Sequence, residues 1–221
     1  MVDDLPSAFS HPYPPTAVLC DLGKVLVDFD RSRFPRRFAE VFARPFPTGC
    51  EKQLGEYRTG FESGDLGGNA FAQSCLELLG LHPEDREVFQ KVWPSIFTVI
   101  PETVDLLRTF VARPNTTLVV VSDTDPWRER ACAQDFGLGD LMADAVCSYQ
   151  ADVRPKWEDS SMWEKARVIA EARLGQPADR VIAIDDLELH TRRALECGAA
   201  THAHLHTTPE SLEIFLDGLN Q

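Results

Sequence analysis

The sequence predicts an α/β fold: a parallel sheet with helices on both faces, interrupted early in the chain by a small all-helical unit. Three observations predict it. After about residue 98, short runs rich in Val, Ile and Ala alternate with helix-length segments, which is the pattern of βαβ crossovers. The run Thr117–Val121 (TLVVV) is continuously apolar and β-branched, as a strand covered on both faces must be. Between about Arg31 and Phe97 no segment reads as a buried strand.

The elements follow in order. Residues 1–15 are polar and rich in proline (Pro6, Pro12, Pro14, Pro15) and read as an irregular lead-in. Thr16–Cys20 (TAVLC) is the first strand, followed at once by Asp21 and a tight segment, LGKVLVDFD. Four helices come next. The first opens at Pro35 and runs through Arg44, and the second is announced by Thr48 and Glu51 as a capping box. Asn69 caps the third, with Phe71, Leu76 and Leu79 on one side, and Pro83–Trp93 is the fourth. Pro101–Arg113 reads as a helix with Pro at its first position. Thr117–Val121 is then followed by a helix near Asp125–Phe136, a strand near Asp144–Ser148 and a helix over Ser161–Leu174. A strand at Arg180–Ile184, a helix near Leu189–Cys197, a strand near Ala200–Leu205 and a helix from Pro209 complete the chain. The expected organisation is a core of residues 1–31 and 98–221 with a helical domain of residues 32–97.

Composition narrows the partners. The 221 residues are 43% hydrophobic, enough for a real core. They carry 35 Asp+Glu against 22 Lys+Arg, a formal net charge of -13. Binding a phosphate backbone or an anionic membrane requires a basic face, so neither nucleic acid nor membrane is an expected partner. Only five of the basic residues are lysine: Lys24, Lys52, Lys91, Lys156 and Lys165. The six cysteines form no CxxC pair and several sit in apolar runs, which reads as reduced, buried thiols. The N-terminal stretch lacks the basic and apolar regions of a secretory signal, and no apolar run approaches the roughly 18 residues of a membrane span. The expected location is cytoplasmic.

Three apolar strands end on polar residues. VLC ends at Asp21, VVV at Ser122 followed by Asp123, and IAI at Asp185 and Asp186. Ligands of open parallel sheets bind beyond the carboxyl ends of the strands. A single Asp in that position is commonly a helix cap, whereas three such strand ends can converge on one site.

These residues carry a family resemblance. DLGKVLVDFD resembles the first motif of the haloacid dehalogenase-like (HAD) superfamily in its D-L-G-x-V-L-V variant. Ser122 resembles the second motif, Lys156 in RPKWEDSSMWEKA the third, and Asp185-Asp186 the fourth. The helical insert, with FESGDLGGNAFAQSCLELLGL, resembles the helical cap of bacterial members. Over about residues 16–206 the chain is most similar to sugar-phosphate phosphatases of the α-D-glucose-1-phosphate type. The resemblance implies a Rossmann-like core, a helical cap, and a magnesium-dependent phosphatase of a small phosphorylated metabolite. It implies Asp21 as the nucleophile that forms an aspartyl-phosphate, with Ser122 and Lys156 on the phosphoryl oxygens. Mg2+, which prefers hard oxygen ligands, would be held by the carboxylates of Asp21, Asp185 and Asp186 and the backbone carbonyl of Gly23.

Two departures stand out. The third motif reads Arg154-Pro155-Lys156, with Trp163 in its aromatic slot, so Arg154, which can bind phosphate bidentately, and Lys165 are alternative occupants. Gly23 stands where most phosphatases of the superfamily carry a second Asp, the general acid/base. Losing such a group costs roughly 10²–10⁴-fold in rate. The substrate is then expected to have a leaving group that departs without full protonation (anomeric, acyl or aryl), or a cap residue or substrate hydroxyl supplies the proton.

Other residues are placed more loosely. Lys24, Asp123 and Arg154 are candidate substrate contacts, Asp28 reads as structural and Asp125 as a helix cap. Trp157 and Trp163 read as packing residues, either of which can border the substrate. Arg33, Arg36 and Arg37, and the stretch Tyr57–Phe61, are the cap candidates facing the site. In THAHLH, His202, His204 and His206 share one strand face and read as the exposed face of a late edge strand, with transition-metal chelation as the alternative. Two other functions remain in view. One is a carbon-directed hydrolase such as a 2-haloacid dehalogenase, which the repulsion within Asp185-Asp186 beside Asp21 disfavours when no metal is bound. The other is a catalytically degenerate module that binds a ligand or a protein.

Overall fold

The computed structural model describes residues 13–219, so the expected lead-in lies outside the described residues except for its last three positions. The elements run β1 (Thr16–Cys20), β2 (Val27–Phe29), α1 (Arg33–Phe42), α2 (Glu51–Glu62), α3 (Gly68–Leu79), α4 (Arg86–Val92), β3 (Phe97–Val99) and α5 (Pro101–Val111). They continue as β4 (Thr116–Ser122), α6 (Pro126–Gln134), β5 (Ala145–Cys147), α7 (Ser161–Leu174), β6 (Arg180–Asp185), α8 (Glu188–Glu196), β7 (His202–Leu205) and α9 (Pro209–Gly218). Single 3-10 turns at Pro83–Asp85 and Trp93–Ile96 flank α4.

The fold is α/β and Rossmann-like, built on one five-stranded parallel sheet in the order β5-β4-β1-β6-β7. Successive strand residues point to opposite faces, and both faces here are covered. Val18, Cys20, Val120, Ile182 and Ile184 pack with Val104 and Leu107 of α5 and Leu212 and Leu216 of α9. Ala17, Leu19, Val119, Val121 and Ala183 pack with Met162, Trp163, Ala166 and Ala170 of α7 and Ala194 of α8. Central β1 is therefore apolar from Ala17 to Cys20, and all five of its residues are buried, Thr16 included. Among the described residues no helix is long and apolar enough to cross a membrane.

Between β2 and β3 the chain is helical. These helices enclose an aromatic cluster that includes Phe34, Phe38, Phe61, Phe71, Phe89 and Trp93. Phe61 and Phe71 stack at 4.3 Å, and Trp127 of α6 meets both edge-on at 5.1 and 5.3 Å. Rings this size dominate the apolar area that a small helical unit can bury, so Trp127 anchors the insert to the core.

The structure corrects several local expectations. The segments entering and leaving the helices pair as an antiparallel ribbon, Val27 with Val99 and Phe29 with Phe97, where no strand was expected. Backbone bonds from Ile100 to Leu26 and from Asp30 to Ile96 extend this pairing. Thr48 and Glu51 form no capping box, because α2 begins after Cys50, whose thiol is tied to the Pro47 carbonyl. Asn69 lies inside α3, which starts after Gly67, and its side chain accepts a hydrogen bond from Arg86 instead. The cysteines are free thiols, five of them buried.

The three histidines do not line an exposed face. His202 is exposed, but His204 and His206 are buried, and α9 covers His204. The His204 ring stacks on Phe215 at 4.9 Å. Burial, with a smaller contribution from His206, pushes the His204 pKa down from 6.5 to about 4. A histidine held neutral in the folded state must bind a proton on unfolding, so stability falls as pH drops from about 6.5 toward 4. We expect urea unfolding at pH 7 and pH 5 to show that His204→Phe reduces this loss by on the order of 1 kcal/mol after solvent screening is allowed for. An unchanged pH slope in the variant would contradict it.

Candidate functional site

Strands β4, β1 and β6 are neighbours in a common register, with Cys20 beside both Val120 and Ile184. Their carboxyl ends therefore place Ser122, Asp21 and Asp185 along one edge of the sheet, where Ser122 and Asp21 line a cavity of about 380 Å³. Lys156 arrives there from the loop after β5 and is only 1% exposed. Its Nζ lies 2.9 Å from Asp21 Oδ1 and 2.6 Å from Asp185 Oδ2, with the Trp163 ring 5.5 Å away.

Each member of this ion cluster is braced. The Lys156 backbone N–H donates to Asp123 Oδ1 at 2.9 Å, and the Lys156 carbonyl accepts from Arg193. Asp21 Oδ1 accepts from the Leu22 N–H at 2.7 Å. Asp185 Oδ1 accepts from the Leu187 N–H at 2.9 Å, and His190 Nδ1 sits 3.1 Å from the same oxygen. The half-buried Asp186 completes a set of three carboxylates whose nearest oxygens all lie within 4.8 Å of one another.

Burial dominates the electrostatics. It pushes the Asp21 carboxyl up to about 8 against the pull of Lys156, while Asp185 adds repulsion. Burial also works to raise Asp185, but Lys156 and His190 outweigh it and hold that carboxyl below its ordinary value. Burial and the neighbouring Asp185 raise Asp186. Burial opposes the charge on Lys156, yet the carboxylates of Asp21, Asp185 and Asp123 keep its pKa well above the ordinary lysine value. Asp185 and Lys156 thus form the committed ion pair, and Asp21 is left as the less neutralised carboxyl.

Among the residues singled out from the sequence, Asp21, Gly23, Ser122, Asp123, Lys156, Trp157 and Asp186 line the cavity, and Asp185 stands behind it. Asp123 does so with one oxygen engaged in holding the Lys156 loop. Lys24 does not line it: a positive φ of 61° turns its side chain toward Asp28 and over the Phe29 ring. Arg154 is exposed and outside the cavity, and Lys165 is tied to Gln150 and Asp152 at 2.8 and 2.7 Å. Only Lys156 of the three third-motif candidates reaches the carboxylates. Arg33, Arg36 and Arg37 lie on an outer surface, where Arg36 meets Asp30 and Arg37 meets Glu40. Arg58, within the stretch Tyr57–Phe61, does line the cavity. Asp125 caps α6, accepting from the Trp127 and Arg128 N–H groups at 3.0 Å and from the Trp93 indole at 2.8 Å.

Arg31, Glu62, Arg128 and His190 also line the cavity and were not singled out. Arg128 Nη1 meets Glu62 Oε1 at 2.7 Å and Asp125 Oδ2 at 3.4 Å, joining α6 to the end of α2. Arg128 had one available signal, its place three residues after a capping Asp; Arg31, Glu62 and His190 had none. The end of α2 reaches the core because Gly64 (φ 81°) has no side chain: a Cβ there would stand 2.4 Å from the Tyr149 carbonyl oxygen. Ser148 Oγ meanwhile donates to the Glu62 carbonyl.

No family model matches this sequence, and no curated protein matches it. Solved structures do match in fold. A HAD family enzyme from Bacteroides thetaiotaomicron, solved with magnesium and inorganic phosphate, superposes with a TM-score of 0.62 at 19% identity, covering 87% of this chain and 94% of that one. A HAD-like family hydrolase from Porphyromonas gingivalis gives 0.66 at 16% identity, covering 94% and 98%. L-2-haloacid dehalogenase from Xanthobacter autotrophicus, with chloropropionic acid covalently bound, gives 0.53 at 16% identity, covering 93% and 83%. The likeness is one of fold: the chain has the α/β architecture of HAD hydrolases.

Removing the ammonium from this cluster leaves two buried carboxylates facing each other. Lys156→Met should destabilise the protein in chelator-containing buffer by about 3–5 kcal/mol at neutral pH. Adding Asp185→Asn should recover part of that loss. Urea unfolding of the three proteins measures both effects, and a Lys156→Met protein as stable as the parent would show the cluster to be energetically idle.

Proposed function

We propose that the protein is a magnesium-dependent phosphomonoester hydrolase that acts on a small phosphorylated metabolite through an aspartyl-phosphate on Asp21. The observation that carries this reading is the convergence of Asp21, Asp185 and Asp186 around the single ammonium of Lys156. Three carboxyl groups are more than one ammonium can neutralise, which is why Asp21 and Asp186 hold their protons above the ordinary range, and their oxygens are the hard donors a divalent cation prefers. The residues fit Mg2+, which Asp21, Asp185, Asp186 and the Gly23 carbonyl would hold. Bound there, it would neutralise phosphoryl charge and orient the ester.

The chain's own groups do the rest. Asp21 attacks phosphorus, the P–O bond to the leaving group breaks, and the leaving oxygen departs with the electron pair. Ser122 and Lys156 donate hydrogen bonds to phosphoryl oxygens. Water then cleaves the acyl phosphate, releasing inorganic phosphate and restoring Asp21. We read the helical insert, residues 32–97, as a cap that excludes water and shapes specificity over the core formed by the remaining residues. The magnesium and phosphate in the Bacteroides thetaiotaomicron structure support this reading.

Gly23 supplies no acid. A Cβ there would meet the Phe29 ring at 3.5 Å, an ordinary contact, so the place of the usual second Asp is flanked by an apolar ring. A leaving group that departs without full protonation suits this arrangement, and glucose 1-phosphate should be a better substrate than glucose 6-phosphate. Clear preference for the 6-phosphate would refute the leaving-group argument.

The broader test is hydrolysis of p-nitrophenyl phosphate. It should require magnesium, stop with chelator, and fall at least about 10³-fold in kcat on Asp21→Asn. Chloride release from 2-chloropropionate without metal would instead support carbon-directed hydrolysis, for which the covalent adduct of the Xanthobacter autotrophicus dehalogenase is the structural precedent.

A further inference from the structure

The cavity that holds the carboxylates is also lined by three guanidiniums, Arg31 beyond β2, Arg58 on α2 and Arg128 on α6. The same three line a second cavity of about 160 Å³, otherwise walled largely by apolar residues such as Phe34, Phe46, Leu54 and Trp93. They therefore stand where the catalytic cavity meets an apolar annex.

Their three charges meet two ion-pairing carboxylates, Glu62 and Asp125, and Glu51 stands in the annex wall. Glu62 serves both Arg128, at 2.7 Å, and Arg58, at 3.6 Å, while Asp125 touches only Arg128, at 3.4 Å. The Asp125 oxygens are already engaged by two backbone N–H groups and an indole. Arg31 has no carboxylate within ion-pair distance among the described residues, and burial together with Arg58 lowers its pKa. Two buried N–H donors make no hydrogen bond, Arg128 Nε and Arg58 Nε, the latter 3.6 Å from Glu62 Oε2, and Arg128 as a whole is 6% exposed. Three like charges around two carboxylates, two of them on side chains with a buried unmet donor and the third on the exposed Arg31, are costly unless an anion joins them. This concentration of positive charge is conspicuous in a chain of net charge -13.

We propose that Arg31, Arg58 and Arg128 form a subsite for a second anionic group on the leaving-group side of the substrate, a carboxylate or a second phosphate. The proposal rests on the phosphatase reading only in assigning the first phosphoryl group to Asp21 and Lys156. Planar guanidiniums match both anions bidentately, and the apolar annex beyond them leaves room for the carbon skeleton that carries the group.

The test compares glucose 1-phosphate with glucuronate 1-phosphate and glucose 1,6-bisphosphate. These share a skeleton and add no anion, a carboxylate or a phosphate. Titration calorimetry into magnesium-loaded Asp21→Asn protein should show at least one acidic probe binding about tenfold or more tightly than glucose 1-phosphate. The probe preferred identifies the anion. Adding Arg31→Gln should reduce that ratio to about twofold or less. Equal binding of all three probes would overturn the proposal. So would a preference that survives Arg31→Gln, or an equal loss for all three, which would place Arg31 on the transferred phosphoryl group. Turnover of the same probes by the unmutated enzyme tests the phosphatase reading separately: absence of turnover with the binding ratio intact would refute that reading and leave the anion subsite standing.

Discussion

A buried ammonium between two buried carboxylates governs the arrangement of this protein. Lys156 can exist at the tips of β1 and β6 only because Asp21 and Asp185 compensate the loss of water, and they are tolerable there only because of it. The neighbouring loops serve this mutual dependence. Asp123 and Arg193 grip the backbone of Lys156 from either side, and His190 and the Leu187 N–H take up the remaining capacity of Asp185. What remains is an Asp21 that is less fully neutralised than its partner and faces the cavity. It is the carboxyl with most to gain from a cation or a phosphoryl group.

The sheet makes the cluster possible. Three adjacent parallel strands with matched registers deliver their terminal polar residues within reach of one another, and their two apolar faces are packed beneath helices. Above this edge the helical insert is held in two ways. Trp127 inserts among its aromatic rings, and Arg128 pairs with Glu62 at the end of α2. Both anchors sit at the start of α6, the helix that follows Ser122. One turn of the core thus fixes both the second strand tip and the position of the insert over the cavity.

Much of the fold was legible because it depends on local chemistry. Val, Ile and Ala runs of strand length marked β1, β4 and β6, and Ser161–Leu174 is the helix its sequence announces. Asp125 reads as a cap and is one. The errors have physical causes. Thr48 and Asn69 have the chemistry of helix caps, but the residues at the cap positions are Cys50 and Gly67. His204 and His206 alternate as edge-strand residues do, but both are buried, His204 beneath Phe215 of α9. Lys24 adjoins Asp21 in sequence, yet its left-handed backbone directs it to Asp28.

By itself, the sequence determined the α/β class and the strand ends at Asp21, Ser122 and Asp185. Apolar periodicity and the polar residues that end it are local properties, written in consecutive residues. Only the tertiary structure decided which cation meets those carboxylates and which arginines reach the cavity. Arg154, Lys156 and Lys165 are chemically comparable in one short segment, and the hydrogen bonds of Asp123 and Arg193 select the middle one. Arg31, Arg58 and Arg128 come from three separate elements, while Arg33, Arg36 and Arg37, adjacent in sequence, face outward. Charge can be counted from composition, but its convergence depends on where distant segments of chain are brought together in space.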